Sequence, residues 1–352
     1  MKKLSDLSWL VDEQTYRDDP ALSYSILSRY DREGFSSIPH LYDKISTPSL
    51  IFGSLVDTLL TDPKSFKETY LVSGKVTVTD QVKIVLELLH AKVGGMEFDS
   101  IDDSVIHECC KECNYYVDDK WANKRKKEIR AGKEYYDLIT ASQGKIVIST
   151  ELYQQALACK NALVTNGNTM KYFIKDPLGN FENYYQLKFK GRYKNVNLKC
   201  MVDCLHVDHV KKIITPIDLK TSSKPEYKFP ESFATYRYGI QAQLYCEIIH
   251  AILKQDDFFK DYTLEQYRFI VVSKETLNPL VWEFNQTTRA NGYVLGDVSY
   301  RGWREIAVEL NEYLTTRQTQ PNWVKPINSI EEYYGKDNIV VDSSVSSPSQ
   351  TS

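Results

Sequence analysis

Two short segments in the second half of a 352-residue chain combine residue types able to do hydrolytic chemistry. Lys199-Cys200-Met201-Val202-Asp203 closes an apolar run on an acid. Thr215-Pro216-Ile217-Asp218-Leu219-Lys220-Thr221 does the same, with a lysine two residues further on. A charge near the end of an apolar strand is costly unless it is paired or ligates a metal. Along a strand, residues i and i+2 share a face, so Asp218 and Lys220 project together. If the two segments pair as a hairpin, Asp203 lies beside Asp218. Neighbouring carboxylates repel unless a cation intervenes, and hard oxygen ligands of this kind select Mg2+, with Mn2+ as a substitute. A lysine beside them can polarise a water or steady charge building on a phosphate. Asp218-Leu219-Lys220 alone equally describes a solvated surface pair. Its company sets it apart: Asp203 lies one strand upstream, and Gln241 and Tyr245 sit one turn apart on a following helix.

The elements that must position these residues follow from pattern. Residues 1–45 read as a helical entry segment, and 50–60 as a helix with Leu55, Val56, Leu59 and Leu60 at helical spacing, closed by Pro63. Residues 75–143 read as peripheral helices carrying a basic run over 120–133. From 184 the texture changes to strands over 184–193, 197–210 and 212–220, followed by a long helix over 231–253. A hairpin over 267–273 and 280–284 and a closing helix over 287–317 come next. The Ser-rich tail over 342–352 reads as disordered. The expected class is α/β, with a central mixed β-sheet flanked by helices. The expected organisation is one domain over 1–341, with 75–143 as a helical insertion and 184–284 as the core.

In order and type, these residues resemble the PD-(D/E)XK nucleases, particularly the phage-type and RecB-like exonucleases. That pattern is an acid after an apolar strand, an acid-x-Lys on the next strand, and a Gln-x-x-x-Tyr helix. It is matched by Asp203, Asp218-Leu219-Lys220 and Gln241-Ala242-Gln243-Leu244-Tyr245. An upstream helical motif, Gly-(Thr/Ser)-x-x-His, has its counterpart in Gly53-Ser54-Leu55-Val56-Asp57. The likeness runs from about 23 to 284, and only the short motifs are specific. It implies a restriction-endonuclease-like core with helical decoration. It also implies metal ligation by Asp203, Asp218 and the Leu219 main-chain carbonyl, activation or positioning of water by Lys220, and orientation of the site by Gln241 and Tyr245. Asp57 replaces the usual His and can still ligate a metal. Gln186 stands where some relatives carry a Glu, and cannot serve as an anionic ligand.

Within the superfamily the spacing looks most like the RecE and lambda-exonuclease branch. That resemblance implies a magnesium-dependent exonuclease on duplex DNA ends in phage-type recombination or replication, working as a homo-oligomeric ring and feeding a single-strand annealing protein. An endonuclease, a single-strand-specific nuclease, or a silent nuclease fold that binds DNA or a protein are the alternatives. Lys124, Lys127 and Arg130 fall on helical spacing and suit DNA phosphates or a solvated face equally. Thr221 and Ser222 could offer hydroxyls to a phosphate or cap the next helix.

Bulk composition is that of a soluble globular protein, with 42% apolar and 26% charged residues. A net charge of -3 requires any nucleic-acid surface to be local. No P-loop is present, which argues against an ATP-driven helicase in this chain. No apolar stretch nears bilayer length and the amino terminus lacks a signal-type apolar core, so a cytoplasmic location without membrane contact is expected. Seven cysteines, an odd and scattered set, fit reduced thiols, including the Cys109, Cys110 and Cys113 cluster.

Overall fold

A computed structural model describes residues 2–74, 78–288 and 292–317. The chain divides into two compact units, Met1–Gly53 with Asn161–Ser352, and Ser54–Lys160. In chain order, the helices and strands begin with α1 (Glu13–Asp18), α2 (Tyr24–Glu33), α3 (Pro48–Thr61), α4 (Phe66–Thr69) and β1 (Tyr70–Ser73). Next are α5 (Asp80–Val93), α6 (Asp103–Glu112), α7 (Ala122–Arg130), α8 (Lys133–Ser142), β2 (Ile146–Ser149) and α9 (Thr150–Thr165). Then come β3 (Phe181–Tyr193), β4 (Val196–Asp208), β5 (Ile213–Ser222), α10 (Phe229–Tyr236) and α11 (Tyr238–Gln255). The last are β6 (Thr263–Leu264), β7 (Tyr267–Ser273), β8 (Leu280–Phe284), β9 (Tyr293–Leu295), β10 (Val298–Tyr300) and α12 (Trp303–Thr316).

The first unit is built on a mixed sheet of order β3-β4-β5-β7-β8, with β6 also pairing β5. β3, β4 and β5 form an antiparallel meander, β5 and β7 run parallel, and β8 returns antiparallel to β7. A parallel step requires a crossover, and α10 with α11 supply it between β5 and β7. This is the restriction-endonuclease-like α/β class expected from the sequence. The core is the apolar face of α11, with Ile240, Leu244, Ile248 and Ile249 all buried, packed among Val202, Leu205, Phe269 and α12 residues such as Trp303 and Ile306. The second unit is a helical cluster closed by the short parallel pair β1–β2. Its core joins Val85, Leu86 and Leu89 of α5 to Ile106, Cys109 and Cys110 of α6 and to Tyr136 of α8. Burial pushes the Cys110 thiol up to about 11, so it stays protonated at neutral pH.

Three expectations are corrected. The single helix over 231–253 is two helices, because Arg237 adopts a left-handed conformation (φ 59°) and its guanidinium is held by Asp31 at 2.9 Å. The break lets Gly239 press against the Tyr293 ring, where a Cβ would lie only 2.5 Å from the ring carbons. The closing helix begins at Trp303, since the β9–β10 hairpin occupies the preceding residues. Strands β1 and β2 were not anticipated; at four residues each they are too short for alternation to register. The expected tail over 342–352 lies outside the described residues.

His206 on β4 is buried against the Tyr172 and Phe181 rings, and its Nδ1 meets Asn183 Oδ1 at 2.7 Å. Burial, reinforced by Lys171, lowers its pKa to about 4. The unfolded chain therefore binds a proton that the folded one refuses between about pH 6.5 and 4, and stability is lost as pH falls through that window. The urea midpoint should fall over this range, and less steeply in His206→Asn than in the wild type.

Candidate active site

The site forms where the β4–β5 ladder ends. The β4–β5 ladder runs from Asp208↔Ile213 to Cys204↔Ile217 and stops there. On its opposite edge β5 pairs with β7 from Ile217↔Arg268 through Ser222↔Ser273. Strands β4 and β5 thus part at the step where Asp203 and Asp218 would face each other. A backbone N–H released from a ladder needs another acceptor. Leu219 N–H finds it in Asp203 Oδ2, at 2.9 Å. This bond fixes the Asp203 side chain against β5 and holds the two acids at the fork. Across β4, the pairs Tyr185↔Cys204 and Leu187↔Val202 put Gln186 opposite Asp203, at a left-handed backbone position (φ 53°) that interrupts the β3–β4 register.

Asp218 is 2% exposed and carries most of the site's electrostatic cost. Its Oδ2 meets Lys220 Nζ at 2.6 Å as an ion pair outside hydrogen-bond geometry, and its Oδ1 accepts a hydrogen bond from Gln241 Nε2. Gln241, near the start of α11, is 4% exposed, and its Oε1 has no hydrogen-bond partner. Burial alone would lower the Lys220 pKa. The Asp218 carboxylate, helped by Tyr238, Asp203 and Tyr24, reverses this and raises it above the ordinary lysine value. Lys220 Nζ also sits 4.6 Å from the Tyr238 ring centroid. Tyr245, one turn beyond Gln241, is buried; burial first, and more weakly Tyr16, Cys200, Asp218 and Asp203, hold its hydroxyl protonated.

Asp203, Asp218, Leu219, Lys220, Gln241 and Tyr245 are therefore gathered at one place in the first unit. Tyr24, Tyr238 and Tyr267 join them without having been singled out, each feeling the charge of Asp218. Of the remaining candidates, two follow Lys220 on β5 and the others belong to the second unit. Thr221 lies near Gly53 of α3, and Ser222 Oγ accepts from Lys224 N–H at 2.9 Å. Neither caps α10, whose N-cap residue is Lys228. Asp57, on the part of α3 assigned to the second unit, is partly buried. Of the basic run on α7, Arg130 is spent within its own unit, donating to the Phe98 and Ile101 carbonyls at 2.8 and 2.6 Å and pairing with Asp103 at 2.8 Å. Lys124 lies over the Tyr116 and Trp121 rings and 3.8 Å from Glu128, while Lys127 is exposed.

Among the described residues no three His, Cys, Asp or Glu side chains converge as a metal cluster. The donors at the fork are two carboxylates and neutral oxygens. That set fits Mg2+, which is commonly held by one or two carboxylates and completes its shell with water and substrate phosphate. Gln241 Oε1 and Tyr267 Oη are buried there without a hydrogen bond, and Asp218 Oδ2 has only its ion pair with Lys220.

A family model described as a PDDEXK-like domain of unknown function (DUF3799) matches residues 33–286. The chain belongs to this family. The match spans the fork and the α10–α11 crossover, and it places the chain in the PD-(D/E)XK superfamily. It does not extend to the narrower RecE and lambda-exonuclease branch. No curated protein sequence matches this PDDEXK-like chain. A solved structure of a candidate exonuclease from Eubacterium rectale shows 11% identity and a TM-score of 0.39, covering 94% of this chain and 89% of that one. So slight a likeness carries no argument.

Replacing Lys220 with Met should strand the Asp218 carboxylate in the interior and cost about 3–5 kcal/mol. Adding Asp218→Asn should recover part of that loss. Urea unfolding of both variants and of the double variant measures the coupling, and additive losses would contradict the buried pair.

Proposed function

We propose that this protein is a magnesium-dependent deoxyribonuclease that hydrolyses phosphodiester bonds at the ends of double-stranded DNA. The observation that carries the reading is the buried Asp218, held between Lys220 and Gln241, with Asp203 pinned beside it at the strand fork. So costly a group of charges is not what a surface hairpin needs.

In this reading Asp203, Asp218 and the Leu219 carbonyl hold Mg2+, or Mn2+ in its place. The bound ion supplies Lewis-acid stabilisation of the phosphate and a more acidic water. Lys220, an ammonium at neutral pH, orients the attacking water and offsets charge building on the phosphate oxygens. Gln241 fixes the Asp218 carboxylate through its amide N–H, and Tyr245 keeps a neutral, donating hydroxyl on the same helix face. Asp57, at the position where the upstream motif usually has His, remains a candidate further ligand, and Arg130, spent on carbonyls of its own unit, is left out. Lys124 and Lys127, with Thr221 and Ser222, remain candidates for contact with the DNA backbone.

The RecE and lambda-exonuclease kinship, a ring of identical subunits, a single-strand annealing partner and a cytoplasmic setting extend this proposal by resemblance. A ring would gather basic residues from several copies and so reconcile DNA binding with the net charge of -3. Among the described residues no helix is long and apolar enough to cross a membrane.

With Mg2+, end-labelled linear duplex should be digested and covalently closed circles spared. Asp218→Asn and Lys220→Ala should each lower the rate by about 100-fold or more. Equal cutting of circles would convert the reading to an endonuclease. A wild type inert on duplex, single strands and RNA with either metal would remove the enzyme altogether.

A further inference from the structure

Three tyrosines form a continuous aromatic path from Lys220 to solvent. Lys220 Nζ lies over Tyr238, and the Tyr238 ring lies 5.7 Å, centroid to centroid, from Tyr236 and 6.0 Å from Tyr24. Tyr24 fixes the outer end, donating its hydroxyl to the Tyr236 carbonyl at 2.7 Å. Phe229 stacks on Tyr238 at 5.7 Å from below the same turn. At the outer end Tyr236 remains 47% exposed, with the Arg32 guanidinium 5.7 Å from its ring centroid.

A single exposed aromatic is ordinary on a protein surface. Tyr42 and Tyr227, for example, are more exposed than Tyr236. Tyr236 differs in three respects. Its backbone is anchored by Tyr24, its ring is one aromatic neighbour from the Lys220 ammonium, and a guanidinium accompanies it. A flat π-face with a cation beside it, adjoining a phosphate-directed site, has the chemistry of a base-stacking platform. A base within an intact duplex is already stacked on both faces and cannot use it.

We propose that Tyr236 stacks the base neighbouring the scissile phosphate, with Arg32 beside that nucleotide, so that the strand enters the site unpaired at its cleavage point. The inference rests on the nuclease reading and specifies its substrate as a single-stranded or locally frayed end.

The test uses oligonucleotides carrying 2-aminopurine near one end, in single-stranded, frayed and blunt duplex form, with Ca2+ replacing Mg2+. Wild-type protein should quench the probe and bind the unpaired forms more tightly than the blunt duplex. Tyr236→Ala should lose most of the quenching and weaken binding by about tenfold, within the 1–3 kcal/mol range of base–aromatic stacking. Tyr236→Phe should retain both. Unchanged quenching and affinity in Tyr236→Ala would overturn the platform. Cleavage with Mg2+ is run in parallel: a wild type that cleaves while Tyr236→Ala behaves identically leaves the nuclease standing and removes only the platform. A wild type that neither binds nor cleaves removes both.

Discussion

A carboxylate at 2% exposure cannot stand alone, and the first unit is arranged around that constraint at Asp218. Compensation comes from two directions. The strand itself supplies Lys220, two residues on and therefore on the same face. The crossover supplies Gln241, because the helix that joins two parallel strands must return across the sheet over their ends. The neighbouring strand adds a second acid, Asp203, which accepts from the Leu219 amide where the β4–β5 ladder has ended. Remove any one and the others are left with unmet charge or hydrogen bonds. Such a group is expensive for stability, which is the reason to read it as serving chemistry.

The fork also leaves backbone groups of β5 without their ladder partners. Where an antiparallel ladder continues, its backbone groups are consumed by pairing. Where the β4–β5 ladder ends, the Leu219 amide is captured by the Asp203 side chain. The left-handed residue Gln186 opposite Asp203 interrupts β3 at the same level. Irregularity is therefore concentrated on three adjacent strands at a single height, as expected where a regular sheet gives way to function.

Much of this was legible beforehand, for reasons that can be named. Asp218 and Lys220 share a face by the two-residue period of a strand, and Gln241 and Tyr245 by the four-residue spacing of a helix, so local geometry alone relates each pair. The mixed sheet followed from three alternating strands, a helix and two more strands. What escaped depends on distant partners. The break at Arg237 is set by Asp31, more than two hundred positions earlier, and nothing in a helical run from 231 announces it. Nothing in the sequence sets Tyr24 and Tyr238 apart until the fold brings them within reach of the Lys220 charge. Arg130 matched DNA-binding spacing on its helix, yet tertiary contacts assign it to the carbonyls of Phe98 and Ile101.

On the proposed reading, the strand fork is a cation site made of Asp203, Asp218 and the Leu219 carbonyl. Crystals grown with Mn2+ test it directly through the metal's anomalous scattering. The account predicts a peak about 2.1 Å from oxygens of both carboxylates, absent in Asp218→Asn crystals. Diffraction at comparable quality with no peak at the fork, or with the metal bound elsewhere while the fork holds none, would contradict it.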